Sequence, residues 1–144
     1  MQPKASPQFF MNVEIVNSWI FPQVADKMEK SKKENPLFYI AILQDHRKRY
    51  LKIGTTERTI KERFSQKDYK AYTNIKLLYV AEVTCDKNPK FACYQIEDLT
   101  RSAIRESKGF NFVKNDRFKF FQLPPVLPVY TSFKNCIFVN TRKD

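Results

Sequence analysis

Residues 37–64 read LFYIAILQDHRKRYLKIGTTERTIKERF, and the fold of the chain follows from how that stretch is parsed. Leu37 to Leu43 are dense in branched and aromatic residues and carry no charge, which suits a strand buried on both faces. Arg49 to Ile53 alternate, with Tyr50 and Lys52 on one face and Leu51 and Ile53 on the other. The polar QDHRK between them predicts a hairpin loop over Gln44 to Lys48, without the Asn-Gly signal of the tightest turns. Thr59-Ile60-Lys61-Glu62 matches a capping box, so a helix is expected to begin at Ile60 and fade around residues 67–72. Arg63 then lies one turn in, beside Ile60 and Phe64. A tyrosine, a lysine and an arginine thus share one strand–strand–helix platform.

Working outward, Ile75 to Val83 read as a third strand with an apolar centre. Asn88-Pro89 is a helix start, with Asn as cap and Pro at the first position. In that helix Ala92, Ile96, Leu99 and Ala103 form the expected inward stripe, with Glu97 beside it in line with Cys93, Thr100 and Ile104. The helix is expected to close near Lys108-Gly109. Residues 118–123 read as a last short strand. The three prolines of residues 123–130 predict an extended arm without regular structure, and residues 132–140 one edge strand. Upstream, residues 1–11 read as irregular, and Pro22 opens a lysine-rich helix that Asn35-Pro36 stops. The order predicts an α+β fold: a small, mainly antiparallel central sheet flanked by helices. An N-terminal helical extension (1–36) precedes the central domain (37–123), and a Pro-rich C-terminal arm (124–144) follows.

Lys and Arg number 26 against 15 acidic residues, a formal charge of +11 that predicts attraction to polyanions, nucleic acid first. Hydrophobic content of 42% with 15% aromatics excludes a disordered chain. No apolar run approaches the roughly 18 residues of a membrane span, so no membrane partner is expected. The first residues, MQPKASPQFFMN, lack a signal-peptide core, which predicts an intracellular protein, in the cytoplasm or, in a eukaryotic host, the nucleus. Three cysteines without C-x-x-C spacing and a single histidine argue against a zinc site and for reduced, partly buried thiols. The two glycines, Gly54 and Gly109, each mark a backbone needing positive φ or close approach.

On these residues the chain resembles the GIY-YIG nuclease superfamily, particularly its divergent phage and viral branch with a K-I-G second motif. Leu37-Phe38-Tyr39 with Ile40-Ala41-Ile42 occupies the first motif, keeping the tyrosine as Tyr39 but losing the glycine. Lys52-Ile53-Gly54 is the second motif. Arg63 matches the family's helix arginine, Glu97 its metal-binding glutamate, and Gly109-Phe110-Asn111 a glycine-aromatic-asparagine that follows. The resemblance covers residues 37–123 and implies a metal-dependent endonuclease acting on DNA. Glu97 would hold Mg²⁺ or Mn²⁺, Arg63 would grip the scissile phosphate, and Tyr39 would orient or deprotonate the attacking water. Lys52, in place of a second tyrosine, would lower the Tyr39 pKa together with Arg63. Asn111 would support the metal site or a phosphate.

Basic residues flank the platform: Arg47, Lys48 and Arg49 in the hairpin, Arg58 and Lys61 at the helix start, and Lys67 beyond. They read as phosphate contacts that position without reading sequence. Ordinary readings exist for every site residue: Tyr39 as core, Lys52 and Arg63 as surface charge, Glu97 as the partner of Arg101 four residues on, Asn111 as a turn residue. The alternative function is a non-catalytic nucleic-acid-binding module on the same fold.

Overall fold

The computed structural model describes residues 9–12, 19–20, 35–86, 88–114, 117–124, 126–129 and 136–140. Among them are the strands β1 (Phe9–Asn12), β2 (Trp19–Ile20), β3 (Leu37–Asp45) and β4 (Lys48–Thr56). Helix α1 (Ile60–Phe64), a 3-10 turn (Lys67–Tyr69), β5 (Asn74–Cys85) and α2 (Pro89–Glu106) follow. The chain continues through β6 (Asn111–Lys114), β7 (Arg117–Phe120), β8 (Val126–Val129) and β9 (Cys136–Asn140). Seven strands form one sheet in the order β2-β5-β3-β4-β7-β6, with β9 beside the far end of β5, and every ladder is antiparallel. The fold is α+β.

The uncharged run of β3 sits at the centre because both its faces are covered. Leu37, Tyr39, Ala41 and Leu43 pack with Ile60, Phe64 and Tyr69 on one face. Phe38, Ile40 and Ile42 pack with Leu51, Ile53, Ile96 and Ile104 on the other. So α1 and the 3-10 turn lie on one side of the sheet and α2 on the other. Each fully buried Leu, Ile or Phe contributes about 1.5–3 kcal/mol, which makes the central strands the rigid base of the molecule.

Several expectations change. The hairpin loop is His46 and Arg47 alone, because Asp45 still pairs with Lys48. His46 takes φ 59°, and the turn is tied by its Nδ1 to Asp45 (2.8 Å) and by Gln44 Nε2 donating to the His46 carbonyl (2.9 Å). Helix α1 ends at Phe64 because Gln66 is extended (φ −71°, ψ 158°) and a 3-10 turn replaces the expected continuation. The inward face of α2 holds the expected Ala92 and Ile96, with Leu99 half-buried against the core, and it also buries Cys93, Glu97, Thr100 and Ile104. Ser107, not Gly109, caps the helix, and Gly109 follows at φ +94°.

The hairpin β6–β7 contains a strand absent from the sequence reading. The sequence predicts irregular chain over residues 1–11 and an arm over 123–130, yet β1 pairs with β8. Pro128 is tolerated because a two-stranded ladder leaves one edge of each strand unpaired. Leu127 and Val129 of β8 are fully buried in the α2-side core. The edge strand expected within residues 132–140 is β9. It sets Cys136 opposite Cys85, Cα–Cα 4.3 Å, and the two form a disulfide, where reduced thiols were expected. The helix expected from Pro22 lies outside the described residues.

Candidate active site

The ladder between β4 and β7 runs only from Arg49 to Lys52. Beyond it the end of β4 is flanked by α1 on one face and α2 on the other. A cleft of about 370 Å³ opens there, walled by Tyr39, Lys52, Gly54, Thr55, Arg63, Tyr94, Glu97, Asp98 and Arg101. Four residues named from sequence, Tyr39, Lys52, Arg63 and Glu97, converge on it.

Tyr39 lies on β3 opposite Gly54, and its ring folds down over that glycine. A Cβ at Gly54 would stand 2.5 Å from the phenol oxygen and 2.7 Å from Cζ, so close approach explains this glycine. Positive φ explains the other, Gly109. The Tyr39 ring packs edge-on against Phe64 at 5.2 Å between centroids, and its hydroxyl is 3.5 Å from that of Tyr69. Arg63 Nε donates to the Tyr39 hydroxyl at 3.2 Å. The guanidinium is held further by Gln66 Oε1, by Asp68 at 3.9 Å and by the Tyr69 ring, 4.8 Å from its centroid. The capping box that starts α1 fixes this geometry: Glu62 N donates to Thr59 Oγ1 (3.1 Å) and Thr59 N to Glu62 Oε1 (3.2 Å).

On the other wall, Thr55 Oγ1 donates to Glu97 Oε1 at 3.0 Å. Arg101 bridges Glu97 Oε2 and Asp98 Oδ1. The pairing of Glu97 with Arg101 read from their spacing is present, and Glu97 also faces the cleft. Among the described residues the two buried charged side chains are Lys52, 7% exposed, and Glu97, 9% exposed. Both line this cleft. Buried charges are costly and rare, so two of them converging on one concavity make it the candidate site. The wall holds three cations (Lys52, Arg63, Arg101) against two carboxylates (Glu97, Asp98), a balance that favours an anion.

Burial pushes the Tyr39 phenol above its ordinary value, while Arg63 and the hydroxyl of Tyr69 pull it down without prevailing. The sequence reading expected a lowered value, with Lys52 acting beside Arg63. Arg63 is the cation that acts on the phenol, and desolvation outweighs it. Cys93, behind Glu97, is a buried free thiol pushed up to about 12, chiefly by burial, so it is inert.

No group of three or more His, Cys, Asp or Glu side chains gathers among the described residues. A divalent cation here would take Glu97 and draw its other ligands from water and substrate phosphate, as Mg²⁺ does. Glu97 and Asp98 hold one positive group, that of Arg101, between them.

The flanking residues divide. Arg58 walls a second cleft that shares Thr55 and Tyr94 with the first. Arg47 and Lys48 sit at the hairpin tip, about 20 Å along β4 from Gly54. Arg49 points to the α2 face, its guanidinium 4.9 Å from the Phe120 ring centroid and donating to the Phe121 carbonyl. Lys67 is exposed on the 3-10 turn, and the side chain of Lys61 is outside the described set. Asn111 opens β6, two strands from β4, and does not wall the cleft. Thr55, Asp98 and Tyr94 were missed. The one signal for Thr55 was its place beside Gly54, and none marked the others. No family model, no curated protein and no solved structure matches this chain.

Proposed function

We propose that this chain is a metal-dependent endonuclease that hydrolyses phosphodiester bonds of DNA at the cleft between α1, β4 and α2. The observation that carries the reading is the meeting of a buried phenol, a buried ammonium, a clamped guanidinium and a buried carboxylate around one cleft. When bound, Mg²⁺ or Mn²⁺ polarises the phosphate and favours hydroxide over water. Glu97 holds that ion, and Thr55 fixes the carboxylate's orientation. Arg63 meets the phosphoryl oxygens with a guanidinium already locked by Gln66 and Tyr69, so little reorganisation accompanies charge development. Tyr39 orients the attacking water and takes its proton as the P–O bond forms. The leaving oxygen takes a proton from solvent as its own P–O bond breaks. Arg63 Nε offsets the charge of the phenolate form that accepts the water's proton, and the resulting phenol gives that proton up to solvent before the next turnover.

A binding module on the same fold is the second reading. It is favoured by the raised Tyr39 phenol and by a Glu97 whose two oxygens already accept hydrogen bonds. The test is incubation with supercoiled plasmid and Mg²⁺ or Mn²⁺ beside an identically prepared Glu97→Ala. Nicking by the wild type alone supports the nuclease. Equal cutting by both proteins removes Glu97 from the site. A gel shift without cutting by either favours the binding module.

A further inference from the structure

The ladders on the cleft side of the sheet set a row of cations across three strands. Lys52 of β4 stands opposite Arg117 of β7, and Arg117 stands opposite Lys114 of β6. Partners across an antiparallel ladder point to the same face, and this face is the one Tyr39 shares with Gly54. A second row runs beside it: Tyr50, Lys119 and Asn111. Lys48, two residues before Tyr50 on β4, points the same way. No acidic residue occupies this face of β4, β6 or β7 among the described residues. The strands are about 5 Å apart, so the row leads from Lys52 in the cleft outward over about 10 Å.

We propose that this β4–β7–β6 face is the docking surface for the backbone of double-stranded DNA, guiding it into the cleft. The proposal rests on DNA being the partner of the cleft but not on cleavage. Duplex rather than single-stranded DNA follows from what the aromatic residues do. Arg117 lies over Tyr50 (5.3 Å) and Tyr72 (5.9 Å), donates to the Tyr72 hydroxyl, and the two rings pack together at 6.5 Å. Those rings are therefore committed to each other and to Arg117, which leaves the face no stacking platform for unpaired bases among the described residues. It offers charge alone, the chemistry of phosphate contact.

The test uses the full chain in EDTA with a fluorescein-labelled duplex, reading affinity by anisotropy across a salt series. Lys114 is exposed and Lys119 half-buried, and the double variant Lys114→Gln/Lys119→Gln removes two charges without touching the cleft. The expected result is affinity lower by roughly tenfold and a salt slope shallower by about 2, near 0.9 per lost phosphate contact. Lys108→Gln, just past the helix on the opposite face, is expected to leave both unchanged. Unchanged binding by the double variant, equal loss in Lys108→Gln, or tighter binding of the single strand than the duplex would overturn the proposal. Because no cleavage is read, a protein that binds through this face and never cuts removes the nuclease reading alone.

Discussion

Tyr39 and Gly54 are a matched pair, and their contact makes the sharpest expectations at the scale of single residues. Gly54→Ala places a methyl group 2.5 Å from the phenol oxygen, so the ring or the strand beneath it has to shift. The expected cost is about 1–3 kcal/mol, read as a lower denaturant midpoint, with a larger loss of cleavage because the contact between the phenol and Arg63 is disturbed. The raised phenol also fixes a pH dependence. Since the phenolate is the minor form at neutral pH, kcat/KM is expected to rise about tenfold per pH unit from pH ~7 and to show no plateau below about 10. Tyr39→Phe is expected to flatten that profile, and a wild-type plateau near neutrality would exclude Tyr39 as the base. For stability, a phenol ionises near ~10 in the unfolded chain but higher when folded. The stabilisation it gives is present below that value and fades as pH climbs toward the raised one. Both Tyr39 and Tyr69 are raised, so tyrosinate absorbance for these rings should appear together with alkaline unfolding. The tyrosine and arginine were legible in sequence because a strand, a glycine and a capping box place them locally. The screening of Glu97 followed from its place beside the inward stripe of α2, whereas the burial of Lys52 was not legible, since it is set by the packing around the end of β4.

Short elements carry the site, and their ends decide how well it is held. Helix α1 has 5 residues, too few to persist on propensity, so its capping box and its packing of Ile60 and Phe64 keep Arg63 in place. Thr59→Ala is expected to cost about 1 kcal/mol and to lower cleavage beyond what stability explains, because Arg63 loses its mount. Asn88 accepts from Phe91 N at 3.0 Å at the start of α2. Asn88→Ala should cost a similar ~1 kcal/mol and leave cleavage largely intact, which separates capping in general from capping of the arginine. Both caps were readable because they depend on neighbours within a turn. The strands β1, β6 and β8 were not, because each exists through a partner distant in sequence or a hairpin without a turn dipeptide. Pro128 in particular argued locally against the strand that β1 completes.

Over the whole molecule, β2 and β9, from opposite sides of the central strands in sequence, both lie along β5. β9 lies along β5 and is covalently joined there through Cys85 and Cys136, which are separated by 51 residues. On the chain-entropy view, closing a loop of that length is worth about 4 kcal/mol. Reduction with dithiothreitol is therefore expected to lower the unfolding midpoint, and Cys136→Ser to reproduce that loss without further sensitivity to reductant. This disulfide was illegible because it follows from which strand lies beside β5, a fact of topology rather than spacing. The +11 charge, by contrast, was plain from composition, and the fold concentrates part of it beside the cleft. The central claim is that Tyr39, Arg63 and Glu97 work as one catalytic unit. The most direct measurement is single-turnover cleavage of a labelled duplex by Tyr39→Phe, Arg63→Ala and Glu97→Gln, with duplex affinity read in parallel. The expected result is a loss of at least about 10²-fold in rate for each, with affinity held within a few-fold. Cleavage at the wild-type rate by all three variants, or no metal-dependent cleavage by the wild type, would contradict it.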